Sequence, residues 1–212
     1  MTAPARAVAF VDGFNLYHAV DELRAAHLKW LDLWKLSQRF ARENLQLQSV
    51  LYFSAFATWR PDAYKRHRAY VAALKHHHVE PIMGHFKQKD RRCHQCGARW
   101  VAHEEKETDV NIALHLLNHA YKNSFDCALL ISNDSDLAPA VRMLKSEFPQ
   151  KWVRILTPPN KRTSKELVQA AGGFQHVRSI KQSHIADALL PASITLADGS
   201  VVERPLQYKP PP

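Results

Sequence analysis

The chain has 212 residues, a formal net charge of +9 and an isoelectric point near 9.6. This length suits one domain with a full hydrophobic core and excludes two large domains. The charge is more than solubility requires and favours a polyanionic partner. It is also uneven, because residues 60–106 hold eleven Lys and Arg against five Asp and Glu, together with seven of the thirteen histidines.

The cysteine content and the hydropathy pattern indicate where the protein works. Three cysteines, Cys93, Cys96 and Cys127, cannot build a disulfide framework, which favours a reducing compartment. No apolar run reaches 18 residues, and the apolar stretch before Asp12 is too short for a secretion signal. We therefore expect a cytoplasmic protein that has no membrane partner.

The first half of the chain alternates between strand and helix patterns. An apolar run over residues 5–11 predicts a buried strand, and apolar side chains at helical spacing follow Gly13. The next predicted elements are a helix over 33–44, a strand over 47–57, a basic helix that begins at Pro61 and runs into residues 76–78, and a strand over 79–86.

Residues 87–106 interrupt this alternation, because they are polar, basic and without helical period. They indicate an inserted hairpin or small knuckle. The predicted elements after it are a helix over 107–122, strands over 127–131 and 151–157, helices over 137–145 and 164–171, an edge strand over 175–180 and a helix over 183–190. Residues 191–212 contain five prolines and little periodicity, so we expect a tail there.

This order of elements predicts the fold class. Strands that alternate with helices imply parallel strand pairs with helices on both faces. We expect an α/β three-layer sandwich with a mainly parallel central sheet, in the Rossmann-like manner. The predicted domain covers residues 5–180 with the insert at 87–106, and residues 181–212 add a C-terminal helix and a proline-rich tail.

Acidic residues follow two of the predicted strands. Asp12 comes after the first, and Asp134 and Asp136 come after the apolar run that ends at Ile131. Ligands of open α/β sheets bind at the carboxyl ends of the strands. Clustered carboxylates need a neutralising cation, and oxygen ligands select Mg²⁺ or Mn²⁺. A site of this kind favours metal-assisted attack of water on a phosphodiester, with one ion or with two.

A purely structural interpretation of each acid stays open. Asp134 and Asp136 have the positions of helix N-caps, and Asp12 has that of a turn residue. Asp109 lies in the first turn of the predicted helix over 107–122, where it could act only on the helix dipole. A phosphatase of the haloacid dehalogenase type is disfavoured, because it needs a second acid where this chain has Phe14.

Three segments carry a resemblance to a known family. They are VDGFNLY at 11–17, EEKETDVNIALHLL at 104–117 and ISNDSDLAPAV at 131–141. In sequence and order they resemble the signature blocks of the NYN domain, in its LabA-like branch, within the PIN-like nuclease superfamily. The resemblance covers residues 5–180. It implies a PIN-like sandwich with an acidic pocket for Mg²⁺ or Mn²⁺, and a ribonuclease activity.

The resemblance also assigns roles by position. Asp12, Asp109, Asp134 and Asp136 match the acids that hold the metal and carry catalysis. Asn15 matches the asparagine of the first block, where its amide could orient a water or contact phosphate.

A CxxC motif lies inside the insert. Cys93 and Cys96 have the spacing at which two thiolates can reach one Zn²⁺. Two further ligands are then needed, for which His85 and His103 are the candidates and a partner chain is another source. Two free thiols in a surface hairpin are the alternative.

Basic and aromatic residues around the insert indicate a nucleic-acid surface. Cations could track a phosphate backbone, and Trp100 or Trp59 could stack on a base. The candidate contacts are Arg60, Lys65, Arg66, Arg68, Arg91, Arg92, Arg99 and Trp100. A solvated basic face with aromatic side chains packed inward is the alternative.

Together these features predict a metal-dependent endoribonuclease that acts on single-stranded RNA. The alternative is a non-catalytic RNA-binding or regulatory protein-interaction module that retains the acidic pocket. The basic face would serve both, and the sequence leaves open whether the protein forms a homodimer.

Overall fold

A seven-stranded sheet forms the middle layer of the protein, whose computed structural model describes residues 3–41 and 44–211. Residues 42 and 43 of the predicted helix 33–44 therefore lie outside the described residues. The sheet strands are β1 (Ala5–Asp12), β2 (Leu45–Ala55), β3 (Val79–Arg92), β4 (Arg99–Lys106), β5 (Cys127–Ile131), β6 (Trp152–Thr157) and β7 (Val177–Ser179). Their order is β4-β3-β2-β1-β5-β6-β7, and only the β3–β4 pair is antiparallel. The predicted α/β class with a mainly parallel sheet is confirmed.

Seven helices cover the two faces of the sheet in the described part of the chain. They are α1 (Gly13–Asp21), α2 (Leu33–Ala41), α3 (Pro61–His76), α4 (Thr108–Tyr121), α5 (Ala138–Glu147), α6 (Lys165–Ala171) and α7 (Gln182–Ala186). Short 3-10 turns precede β7 and α5. None of the helices within residues 3–41 and 44–211 is long and apolar enough to cross a bilayer.

The alternation of side chains along β1 explains the three layers. Ala7, Ala9 and Val11 point to one face and pack with the buried residues of α1, α2 and α3. Val8 and Phe10 point to the other face and pack with those of α4, α5 and α6. Since successive side chains of a strand point to opposite faces, a strand buried on both faces is apolar throughout. This is why β1 and β5 could be predicted from the sequence.

The stretch 87–106 is a continuation of the sheet. β3 runs past residue 86 to Arg92 and pairs with β4 in a register that extends from His85–Lys106 to Arg92–Arg99. In the turn, the N–H of Cys93 donates to the carbonyl oxygen of Ala98 at 2.8 Å. The predicted strand ended too early because this two-stranded arm is largely exposed and lacks the apolar signal of a buried strand.

The prediction that residues 191–212 form a tail was wrong for most of the segment. β8 (Ser193–Thr195) and β9 (Val201–Glu203) form a small antiparallel hairpin, with Ile194 buried. The indole N–H of Trp30 donates to the carbonyl oxygen of Pro191 at 2.7 Å, and Tyr208 packs against the core on the α1 side. A few apolar anchors and backbone hydrogen bonds hold this segment, which periodicity cannot reveal.

Candidate active site

The acidic residues meet in a cavity at the carboxyl edge of the sheet. β1 and β5 are parallel neighbours, so their carboxyl ends lie side by side. The cavity has a volume of about 350 Å³. Its lining residues are Asp12, Phe14, Asn15, His18, Glu105, Thr108, Asp109, Asn133, Asp134 and Lys161. Four of these ten residues are acids, of which Asp12, Asp109 and Asp134 were predicted to meet and Glu105 was not.

Asp12 is the buried centre of this cluster, with a relative exposure of 3%. Its Oδ1 accepts a hydrogen bond from the backbone N–H of Asn15 at 3.0 Å, and its Oδ2 accepts one from the Ser132 hydroxyl at 2.9 Å. Burial raises the pKa of Asp12 to about 6, and the charges of Asp109 and Asp134 add to the increase. Asp12 is thus an N-cap of α1 and also a carboxylate that would be stabilised by a cation.

Asp134 combines the structural role and the proposed functional role. Its side chain caps the 3-10 turn before α5, because Oδ1 accepts from the backbone N–H of Asp136 at 3.0 Å. The backbone N–H of Asp134 in turn donates to Ser132 Oγ at 3.1 Å. Ser132 therefore links Asp134 to Asp12. Asp136 is exposed and is not among the residues that line the cavity.

The first turn of α4 supplies the third carboxylate of the cavity. Asp109 is half-buried, and burial raises its pKa, with further contributions from the charges of Asp134, Glu105 and Asp136. Glu105 lies at the end of β4 and accepts a hydrogen bond from the Thr108 N–H at 3.1 Å. The charge of Asp136 therefore acts on the cluster from outside the cavity.

Asn15 joins the two strand ends. Its side-chain oxygen accepts a hydrogen bond from the backbone N–H of Asn133 at 3.2 Å. Because the oxygen is used in this way, the amide nitrogen is the end that can donate to a ligand. This orientation fits the role that the resemblance implied for Asn15.

Gly13 allows the first turn of α1 to pass close to β2. A Cβ at this position would lie 2.5 Å from the Phe53 carbonyl oxygen and 2.6 Å from Tyr52 Cε2. We expect Gly13→Ala to lower the free energy of unfolding by about 1–3 kcal/mol, the usual range for overpacking. Urea denaturation followed by circular dichroism would measure it.

The control for this prediction is Gly199→Ala. No atom lies within 4 Å of a Cβ there, and the cost comes only from the backbone φ of +81°. That cost should be about 1–2 kcal/mol and needs no steric contact. A Gly13→Ala protein as stable as the wild type would contradict the steric role of Gly13.

Several lining residues were missed at the sequence level. Lys161 lies in the loop after β6, and its Nζ donates to Glu22 Oε1 at 2.5 Å. Glu105 also lines the cavity, and Ser132 lies behind it as the donor to Asp12; neither was among the predicted site residues. Lys161 could have been predicted from its position, because, like Asp12, it follows a strand of the parallel sheet.

The donor set of the cavity fits a hard divalent cation. Carboxylate oxygens and an amide are the ligands that Mg²⁺ and Mn²⁺ prefer. Within residues 3–41 and 44–211, no three His, Cys, Asp or Glu side chains are close enough together to hold an ion unaided. Mg²⁺ commonly keeps several waters and takes one or two carboxylates from the protein, so a partly hydrated ion matches this spacing.

The predicted zinc ligands are not brought together. His85 lies on β3 eight residues before Cys93, which directly follows the strand, so about 25 Å of extended chain separates them. The His85 ring lies 3.3 Å from a carboxylate oxygen of Glu107, and His103 stacks on Trp59 with the ring centroids 3.7 Å apart. At the turn, a backbone hydrogen bond from Cys96 lowers the pKa of the Cys93 thiol, and one from Gln95 makes a smaller contribution.

The predicted nucleic-acid contacts lie on α3 and on the β3–β4 arm. The stacked pair of Trp59 and His103 joins these two elements. Arg91 is paired with Glu104, which also contacts Lys89 and Lys106. The remaining candidates are exposed except for Arg66, which is half-buried: Arg60, Lys65, Arg68, Arg92, Arg99 and Trp100.

Comparison with known families and structures agrees with this geometry. The sequence profile of the NYN domain family matches residues 6–178. The chain is also similar in structure to a protein of unknown function from Vibrio parahaemolyticus, with a TM-score of 0.58 and 20% sequence identity. That similarity covers 90% of this chain and 100% of the other, and it shows a shared fold.

One similar protein is named as a monooxygenase. The 6-hydroxy-3-succinoylpyridine 3-monooxygenase HspA of Pseudomonas putida is 28% identical to this chain, and the match covers 68% of it. The matched region amounts to 56% of the relative's own length. The relative therefore contains a large part that this chain does not match.

Proposed function

Because the chain belongs to the NYN domain family, whose fold is that of PIN-like nucleases, we propose that it hydrolyses phosphodiester bonds of single-stranded RNA with Mg²⁺ or Mn²⁺. The observation that carries the proposal is the shared cavity of Asp12, Asp109 and Asp134 at the carboxyl edge of the sheet. The pKa of Asp12 is raised by burial and by both neighbours, a state that a bound cation relieves.

The acids share one task in this proposal. Asp12, Asp109 and Asp134 would hold the ion partly through its own waters, with Asp136 acting from outside the cavity. A bound ion supplies a water of lowered pKa and neutralises charge on the scissile phosphate. Ser132 and the backbone N–H of Asn15 fix the orientation of Asp12 by hydrogen bonds.

Substrate delivery has to overcome the negative field of the acids. Lys161 is the cation that lines the acidic cavity in the described chain, and it could contact the phosphate. The basic residues of α3 and of the β3–β4 arm would hold the flanking phosphates. The base of the β3–β4 arm lies next to the start of α4, and Arg91, Arg92 and Arg99 lie at its far end, about 20 Å along the extended strands, so they would contact phosphates distant from the acids.

The test is cleavage of an end-labelled single-stranded RNA in Mn²⁺, in Mg²⁺ and in EDTA. We expect cleavage with either metal and none in EDTA. The same label on double-stranded RNA and on single-stranded DNA measures the preference for single strands and for RNA. Absence of product in both metals, with RNA still bound in EDTA, would instead support the non-catalytic RNA-binding module.

A second candidate function follows from the curated relative and from a second cavity. That relative acts on a pyridine, and an apolar cavity lined by aromatic side chains lies beside the acidic one. A small heteroaromatic acid could bind there. Oxygen consumption with 6-hydroxy-3-succinoylpyridine and an added electron donor would support this function, and its absence would remove it.

Zinc at Cys93 and Cys96 is a separate proposal. The backbone hydrogen bonds that lower the pKa of Cys93 favour the thiolate, which is the form that binds metal. The remaining ligands would come from outside the pair, for instance from a second copy of the chain. We expect about half a zinc ion per chain in a dimer, removed by a Cys93→Ser and Cys96→Ser double substitution but not by Cys127→Ser. Metal analysis combined with light scattering measures both quantities.

A further inference from the structure

The second cavity is lined by aromatic rings and lies over the end of β2. Its volume is about 290 Å³, at the lower end of the range for small-molecule sites, roughly 300–1,000 Å³. Tyr52, His67 and Tyr70 form its inner wall, and the hydroxyl of Tyr52 lies 3.1 Å from His67 Nε2. The size and the flat walls suit one planar ring system.

Three further rings form the wall nearest the acids. Phe14 meets Phe86 edge to face with centroids 5.6 Å apart, and Trp59 meets Phe86 in the same way at 4.6 Å. Tyr208, from the C-terminal segment, completes the lining. Trp59 is partly exposed, so the rings extend from the interior to the surface.

The two cavities are neighbours along one edge of the sheet. Phe14 and His18 line both of them. The acidic cavity lies over the ends of β1 and β5, and the aromatic one lies over the end of β2, which pairs with β1. Adjacent strands are about 4.8 Å apart. One nucleotide can therefore place its phosphate in the first cavity and its base in the second.

The charge of the lining agrees with a base that is carried on an anionic chain. Among the described residues that line the aromatic cavity, Lys29, Arg60 and Arg66 are cations and none is an acid. Lys29 is engaged by Asp21, and it lies over the Tyr17 ring at 4.8 Å. Ser54, with a hydroxyl, is buried in the same wall and offers a polar group to the edge of a heterocycle.

We propose that the aromatic cavity binds the base of the nucleotide next to the scissile phosphate, in contact with the rings of Phe14, Trp59 and Phe86. Because Phe86 meets the other two rings edge to face, the base can stack on one of these faces and meet the edge of a neighbouring ring. This inference rests on the proposed function, because the base is located by the phosphate in the acidic cavity. Stacking is tolerant of sequence, since every base has a π-face. The cavity then sets which bond is cut relative to an unpaired base.

The experiment pairs an enzyme change with a substrate change. Short single-stranded RNAs carry one abasic ribose, moved position by position along the chain, and kcat/KM is measured in Mn²⁺. Ala63→Leu fills the cavity from α3, and Ala197→Leu adds the same volume in the exposed turn between β8 and β9. Tyr208→Ala is a second cavity variant, and thermal melting verifies that all three fold.

We expect an abasic ribose at one position to lower kcat/KM about tenfold or more, the scale of a lost base stack. Ala63→Leu should lower cleavage of intact RNA by a similar factor and leave the RNA that is abasic at that position unaffected. Ala197→Leu should behave as wild type. Equal cleavage of intact RNA and of every abasic RNA would overturn the inference and leave the nuclease proposal standing.

Calorimetric titration of the metal-free protein separates the inference from the function. Adenosine and uridine, which bring no phosphate to the acidic cavity, should bind at least tenfold more tightly than ribose, and Ala63→Leu should abolish the difference. This result in a protein that cuts no RNA would overturn the nuclease proposal and support the base site. Binding of 6-hydroxy-3-succinoylpyridine without binding of either nucleoside would overturn the base site in favour of a free heteroaromatic ligand.

Discussion

Asp12→Asn is expected to lower kcat/KM for RNA cleavage about a thousandfold, while the protein stays folded. The loss corresponds to about 4 kcal/mol of transition-state stabilisation, in line with the several kcal/mol that metal-ion catalysis supplies. An asparagine can keep both hydrogen bonds, to the Asn15 N–H and to Ser132, but it removes the charge. Single-turnover cleavage in Mn²⁺ measures the effect.

The control for this substitution is Asp187→Asn. Asp187 is exposed and pairs with Arg39 on the surface, outside the acidic cavity. This variant should cleave RNA at the wild-type rate. Full cleavage by Asp12→Asn would remove Asp12 from the mechanism.

Asp12→Asn should also increase the free energy of unfolding in EDTA at alkaline pH. The folded-state pKa of Asp12 is about 6 against an ordinary value of 3.8, so folding favours the protonated form. The stabilisation from this group is fully present below pH 3.8 and is lost as the pH rises through 6. At pH 8 the buried carboxylate lowers the free energy of unfolding by about 3 kcal/mol, and Asp12→Asn removes this loss.

Urea denaturation at pH 8 and at pH 5 tests this linkage. The stability advantage of Asp12→Asn should be larger at pH 8 and should shrink at pH 5. Added Mn²⁺ should stabilise the wild type and not the variant, because the ion binds the native carboxylates. A variant less stable than the wild type at pH 8 in EDTA would contradict the electrostatic account of the cluster.

Lys161→Met should lower kcat for RNA cleavage about a hundredfold. An oriented cation or hydrogen-bond donor at developing charge is worth about this much in other enzymes. Lys161 lines the acidic cavity, and its ion pair with Glu22 is about one-third exposed on the lysine side, so the ammonium can turn to a phosphate. Pre-steady-state cleavage at saturating RNA separates the effect on kcat from the effect on binding.

Two matched variants serve as controls for Lys161→Met. Lys165→Met removes an equal charge from the exposed start of α6, so it should weaken binding with the same salt dependence but keep kcat. Glu22→Gln releases Lys161 from its partner and should keep or raise kcat. If Lys161→Met and Lys165→Met reduce kcat alike, Lys161 contributes only to the general charge of the surface.

The sequence predicted those parts of the site that lie next to strong local signals. Asp12 and Asp134 end apolar runs, and Asp109 begins a regular helix. Parallel pairing of β1 and β5 brings the first two together, as the alternation of strands and helices implied. The residues of these runs are buried on both faces of the sheet, and burial on both faces leaves an unmistakable run of apolar side chains.

The residues that were missed depend on contacts between distant segments. Ser132 meets Asp12 across 120 positions, and Lys161 meets Glu22 across 139. The direction of a side chain at the end of a strand also decides whether an acid enters the cavity, as Asp134 does and Asp136 does not. His85 and His103 were chosen as neighbours of the cysteines in sequence, but an extended arm separates residues that are near in sequence.

The pairing of β1 with β5 has a consequence for the protein during its synthesis. A ribosome that has released only the first hundred residues has produced Asp12 but neither Ser132 nor Asp134, so the nascent chain has no acidic cluster. The strand that completes the cluster is formed by residues 127–131, and the lysine at position 161 follows still later. An enzyme that cuts RNA would thus stay inactive beside the messenger and the ribosome until most of its sequence has been translated and folded.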